Sequence, residues 1–232
     1  YGLSAAAVGT LMLVVRAFDA VTDPLMGGIA DRTRTRWGRY RPYLVWIALP
    51  YGILAVLAFT TPDLSDSGKL FYAYITYALL MTAYTAINIP YSALGGVITG
   101  DSRERASVQS WRFALAMIGG AIVMASIMPL VGLFGGGDQQ RGFMFAMMLL
   151  AALAIVCFLA CFALTTERVE PPKEAVSKNI LSDVVATGRN GPWRLIALAT
   201  LVLLISVAMK GGATPYFVTY YLNSEELIGT FL

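Results

Sequence analysis

Histidine is absent from these 232 residues. That removes the usual general base near neutral pH and the commonest nitrogen ligand for metals. Cysteine occurs twice, as Cys157 and Cys161 in one apolar run. Without histidine or further cysteines the pair makes no zinc site, and both are expected to be small packing residues. No phosphate-binding P-loop is present, so ATP-driven work by this chain lacks its cradle. No Ser or Cys nucleophile has a base to activate it, so no enzyme activity and no cofactor is expected. Charge is also scarce: Asp, Glu, Lys and Arg make up 13% of the chain, about half the ~25% of a soluble domain. Tyr1-Gly-Leu-Ser has no basic leader and no cleavage site follows it, so no signal peptide is expected.

Hydrophobic residues make up 57% of the chain. The few charges are clustered, and the runs between them reach the ~20 residues that a helix needs to span a bilayer. The expectation is an all-α, polytopic membrane helix bundle. A transmembrane β-barrel would show short alternating segments instead. Six spans can be placed, at residues 5–30, 43–61, 70–99, 107–134, 143–165 and 193–222. Lys and Arg alternate across the connections, with eleven in the odd ones and two in the even ones. Positive charge marks the cytoplasmic side. Tyr1 and the tail after Leu222 are therefore expected on the outer side. The net charge of +3 lies in these loops and speaks to topology, not to nucleic acid. Residues 166–192 are polar and contain Pro171-Pro172, and 179–187 could form a short amphipathic surface helix. The expected domains are a bundle at 1–165, a cytoplasmic linker at 166–192 and the first helix of a second bundle at 193–232.

The first apolar span carries two carboxylates, Asp19 and Asp23, with Arg16 nearby. Helical spacing puts all three within about 60° of one another at roughly 100° per residue. An ionised group in a membrane helix is costly without a partner, and it marks a functional site by default. Two negatives and one positive leave a seat for a small cation. The bland alternative is an Arg16–Asp19 ion pair, with Asp23 capping near Pro24.

The motif that follows is Gly27-Gly-Ile-Ala-Asp-Arg-Thr-Arg-Thr-Arg-Trp-Gly-Arg39-Tyr-Arg-Pro42. With residues 19–24 it resembles the glycoside–pentoside–hexuronide:cation symporters, the melibiose permease-like branch of the major facilitator superfamily. Tyr84-Thr-Ala-Ile-Asn-Ile-Pro-Tyr91 is similar to the family's fourth helix. Asp101-Ser-Arg-Glu-Arg105, with Arg112 beyond, is similar to its fourth-to-fifth loop and fifth helix. Gly211-Gly-Ala-Thr-Pro-Tyr-Phe217 is similar to its seventh. The resemblance covers nearly the whole chain and implies an incomplete major facilitator-like fold, about six of twelve helices, lacking the first.

The resemblance also implies roles. Asp19 and Asp23 would ligate the cation (the only metal ligands expected), with Thr22 and Thr85 beside them. Thr22 stands where the family pattern has Asn, which leaves Na⁺, Li⁺ and H⁺ open as the coupling ion. Tyr84, Asn88 and Arg112 would hold sugar, with Ser92 and Lys210 nearby. Asn88 replaces a carboxylate and Ser92 a stacking Trp, which argues against melibiose as cargo. Arg112 could instead neutralise Asp19 or Asp23. Tyr84 and Tyr91 could simply pack. Lys210 could pair with an aspartate, meet an anionic sugar, or snorkel to a helix end. Asp31, Arg32, Gly38 and Arg39 resemble the superfamily's gating loop, where Asp31 would hold the end of a neighbouring helix. The charges of that loop could also serve topology alone. Gly27-Gly28 and Gly119-Gly120 would permit close helix approach.

The function expected is cation-coupled symport of a sugar or glycoside by alternating access, in a bacterial inner membrane. Partners would be that small molecule, a monovalent cation and membrane lipid, for a monomeric protein. A same-fold transporter of a lipid or organic anion, a channel, and a non-functional fragment are the alternatives.

Overall fold

The computed structural model describes residues 5–169 and 180–216, all of it helix and connecting loop. Two compact units divide the chain, within Tyr1–Val176 and Ser177–Leu232. The first contains α1 (Ala5–Arg32), α2 (Arg41–Trp46), α3 (Ala48–Phe59), α4 (Asp66–Val97), α5 (Ser102–Gly135) and α6 (Gln139–Leu164). The second contains α7 (Ile180–Arg189) and α8 (Gly191–Tyr216). Pro171-Pro172, Phe217, the tail and Tyr1 lie outside the described residues.

Helices are what apolar runs of this length must form in lipid, because every backbone polar group has to be satisfied within its own segment. Short polar residues start them. Ser65 accepts from the Gly68 amide at the head of α4 and Asp101 from the Arg103 amide at the head of α5. Asp138 accepts from the amides of Gln140 and Arg141 at the head of α6. The α5–α6 turn needs Gly136 and Gly137, whose φ angles are 54° and 99°.

Among the described residues, three helices are long and apolar enough to cross a membrane, within α4, α5 and α6. The other expected spans differ for local reasons. In α1, Arg16, Asp19 and Asp23 lower the apolar character of a helix 28 residues long. The span expected at 43–61 is broken at Ile47 into a 6-residue and a 12-residue helix. Pro50 explains the break, since it has no N–H to donate to the Trp46 carbonyl one turn back. The last span is described only to Tyr216, and its apolar stretch is Gly191–Val207.

The packed core gathers Ala30, Tyr40, Tyr43, Leu44, Ala48, Ile87 and Leu94, from α1, α2, α3 and α4 and the loop before α2. Ile155, Phe158, Cys161 and Phe162 of α6 close it. Glycines set two of the approaches. A Cβ on Gly142 would strike the Val131 carbonyl of α5, and one on Gly52 would sit 2.6 Å from Ile155 of α6. Gly27 faces Ile89 of α4. Gly119 and Gly120, expected to serve a close approach, have nothing within 4 Å, because this part of α5 is exposed.

Candidate functional site

The site begins at the α1–α4 seam. Asp19 is 9% exposed, and Arg16 donates to its Oδ2 at 3.4 Å. This is the ion pair that the charge spacing allows. It uses one carboxylate oxygen only, for Asp19 Oδ1 is buried without a hydrogen-bond partner. One turn on, Asp23 Oδ1 accepts from the Thr85 hydroxyl of α4 at 2.8 Å. Thr85 is itself buried. The Thr22 hydroxyl turns back along its helix to the carbonyls of Phe18 (3.2 Å) and Asp19 (3.4 Å). Its oxygen keeps lone pairs for another ligand. Among the described residues, no three or more His, Cys, Asp or Glu side chains gather as a metal centre would require. What α1 and α4 offer is oxygen only, the donor set suited to a hard cation.

The neighbouring face of α4 carries Tyr84, Asn88 and Tyr91 at helical spacing. Tyr84 lies 6.4 Å, centroid to centroid, from Tyr51 of α3. Phe158 of α6 meets both Tyr51, at 6.2 Å, and Tyr91, at 6.3 Å, edge to face. Arg112 of α5 lays its guanidinium over Tyr91, 5.4 Å from the ring centre, and over Phe113 at 5.2 Å. Among the described residues it forms no ion pair with Asp19 or Asp23. One of its buried donors, Nη1, has no partner. Asn88 and Ser92 are half-buried on α4. Lys210 is exposed on α8 and belongs to the second unit.

The loop between α1 and α2 carries a hydrogen-bond network of its own. Asp31 Oδ1 accepts from the Tyr40 hydroxyl at 2.6 Å. A helix end is held here by Glu167. Its carboxylate accepts from the backbone amides of Arg39 (2.9 Å), Tyr40 (2.8 Å) and Arg41 (3.0 Å) at the head of α2. Gly38, with φ of 109°, lies so close that a Cβ there would strike this carboxylate. Arg41 donates to the Phe162 carbonyl at 2.6 Å, and Arg32 to the Gly28 carbonyl at 2.8 Å. Burial, with the hydrogen bond to Asp31 second, pushes the Tyr40 phenol up to about 12. Sequence reasoning missed Glu167, Tyr51 and Phe158. All three act across long sequence separations, and no spacing announces them.

Comparison with known proteins gives the family. A family model described as "MFS/sugar transport protein" matches residues 1–232. The chain belongs to that family. It is 47% identical over its whole length to the "Inner membrane symporter YicJ" of Escherichia coli K12, covering 50% of that relative. It is 45% identical to the "Putative glycoside/cation symporter YagG" of the same organism, again covering 50% of it. It is 34% identical, over 98% of the chain, to an "Isoprimeverose transporter" of Lactiplantibacillus pentosus, covering 48% of that protein. This MFS/sugar transport chain thus spans about half the length of the curated relatives it matches.

Proposed function

We propose that this chain supplies the cation seat and part of the cargo site of a cation-coupled sugar or glycoside symporter that works by alternating access. The observation that carries the reading is the Asp23–Thr85 contact at 2.8 Å, beside Asp19 with its unpartnered buried oxygen. A monovalent cation there would take oxygens from Asp19, Asp23, Thr85 and Thr22. It would also offset the one negative charge that Arg16 leaves over. Tyr84, Asn88, Tyr91 and Arg112 offer ring faces and hydrogen-bonding groups to a polyol. The printed names of the relatives, a glycoside/cation symporter and an isoprimeverose transporter, support a sugar as cargo. Na⁺, Li⁺ and H⁺ all suit the seat.

The test uses the intact transporter in proteoliposomes. Uptake of radiolabelled isoprimeverose and methyl glycosides is measured with and without an inward Na⁺, Li⁺ or proton gradient. Asp23→Asn removes the charge and keeps the shape. It is expected to abolish the stimulation by the coupling ion while the protein still inserts and folds. Unchanged stimulation rejects the cation seat.

A further inference from the structure

Three buried polar atoms on α5 lack partners, Arg105 Nε, Gln109 Oε1 and Arg112 Nη1, and the last two are complementary. Gln109 Oε1 is an acceptor and Arg112 Nη1 is a donor. The two residues are three apart, so they share one face of the helix. Both face α4. Gln109 sits against Gly95, where an added Cβ would come within 2.7 Å of Nε2, and Arg112 sits over Tyr91 one turn away. Helical side chains lean toward their N-terminus, which carries the Arg112 guanidinium over the turn of Gln109. Burying an acceptor and a donor unsatisfied is costly, and a native site that does so is shaped for something that satisfies both.

We propose that Gln109 is a specificity-determining residue, which with Arg112 holds one hydroxyl of the cargo between them. The hydroxyl accepts from Arg112 Nη1 and donates to Gln109 Oε1. A hydroxyl does both at once, whereas an ether oxygen or a carboxylate can only accept. The pair therefore selects a free hydroxyl at one ring position and disfavours a deoxy or alkylated sugar there. Gly95 makes the room, since a larger residue would displace the Gln109 amide. This inference rests on the sugar-transport reading above.

The test is equilibrium binding to the intact transporter in saturating coupling ion. The probes are isoprimeverose and the methyl glycosides of glucose, galactose and xylose, each with its set of monodeoxy analogues. In the wild type, one deoxy position of the best-bound probe should cost roughly tenfold or more in affinity, as a lost hydrogen bond to buried polar groups does. Gln109→Leu should shrink that one ratio by about tenfold and leave the others unchanged. Gln109→Glu should weaken every probe, because its carboxylate pairs with Arg112 and withdraws the donor. The thermal shift given by the coupling ion alone should match wild type in both variants, which shows that they fold. If Gln109→Leu leaves every deoxy ratio at its wild-type value, Gln109 reads no cargo hydroxyl and the proposal is wrong. If it lowers all probes by one common factor, the role is structural and the proposal is again wrong. A wild-type protein that binds no glycoside at all overturns the cargo reading itself, and this inference with it.

Discussion

Removing the charge from Glu167 should loosen one place, the head of α2. Three backbone amides point at this carboxylate, two at Oε1 and one at Oε2, at 2.8–3.0 Å. Arg41 opens a helix of six, Tyr40 is its N-cap and Arg39 precedes it, so none of the three amides has an intrahelical acceptor. An anion at a helix head gains from those donors and from the dipole behind them. Hydrogen bonds to charged groups contribute about 1.5–3 kcal/mol each when well sheltered. Glu167 is only half-buried, so about 1 kcal/mol per bond is the fitting scale here. Glu167→Gln keeps one oxygen, loses the charge, and turns an NH₂ toward the Arg39 amide. The expected cost is about 1–2 kcal/mol, a factor of roughly 5–30 in the local opening equilibrium. Glu167→Ala strips all three acceptors and should cost about 3 kcal/mol.

Hydrogen exchange with mass spectrometry reads this directly. The amides of residues 39–41 should exchange about 5–30 times faster in Glu167→Gln than in wild type. The amide of Tyr51, bonded to the Ile47 carbonyl at 2.8 Å, should keep its protection. Unchanged exchange at 39–41 refutes the clasp. So does faster exchange spread evenly over α1 to α6, which would mean global destabilisation.

Further outcomes follow from local surroundings. Gly142→Ala puts a methyl group into the Val131 carbonyl and should cost the α5–α6 hairpin about 1–3 kcal/mol by overpacking, read as a lower thermal midpoint. Gly119→Ala, with nothing within 4 Å, should instead stabilise by about 0.5–1 kcal/mol; equal midpoints for the two variants contradict the packing described here. The Tyr40 phenol, raised from 10.0 to about 12, stays protonated in the folded protein when the unfolded chain has begun to ionise. Its contribution to stability is thus whole below pH 10 and lost as pH rises through about 12. Wild type should lose stability over that window faster than Tyr40→Phe, and parallel pH profiles would exclude the Tyr40 phenol, held up by burial first and by its hydrogen bond to Asp31 second, as the cause.

What could be read from the chain alone follows a physical division. Length and apolar character locate α4, α5 and α6, because lipid leaves the backbone no alternative to a helix. The α1 carboxylates stood out because charge in an apolar run is rare. Thr85 was reached only through family resemblance, and the structure sets its hydroxyl on Asp23. The break at Ile47 carried a local sign in Pro50, which the hydropathy of the run concealed. Glu167 carried none. It is an ordinary acid in a polar segment, and its three bonds span 126 to 128 residues of sequence. Tyr51 and Phe158 lie in helices so apolar that no period separates packing from lining. Gln109 shows itself only through an acceptor left bare, a property of the folded chain.

On the transport reading, α4 is the element through which ion and cargo can feel one another. Thr85 looks toward α1 and Asp23, and Ile89 one turn later meets Gly27 of the same helix. Tyr84, Tyr91 and Gly95 form the adjacent stripe, facing α3, α5 and α6 through Tyr51, Arg112, Phe158 and Gln109. Asn88 falls between the two stripes, one turn from Thr85. Pro90 then removes the hydrogen bond to the Ala86 carbonyl and softens the helix beyond that point. A shift of Thr85 on ion binding therefore reaches Asn88 through unbroken helix, but reaches Tyr91, about 9 Å along the axis, only across a weakened turn. Coupling between ion and cargo of the usual ~1–3 kcal/mol should then be concentrated at Asn88 and fade toward Gln109. On this arrangement Asn88 carries the linkage to the ion, while the Gln109–Arg112 pair sets which sugar is accepted.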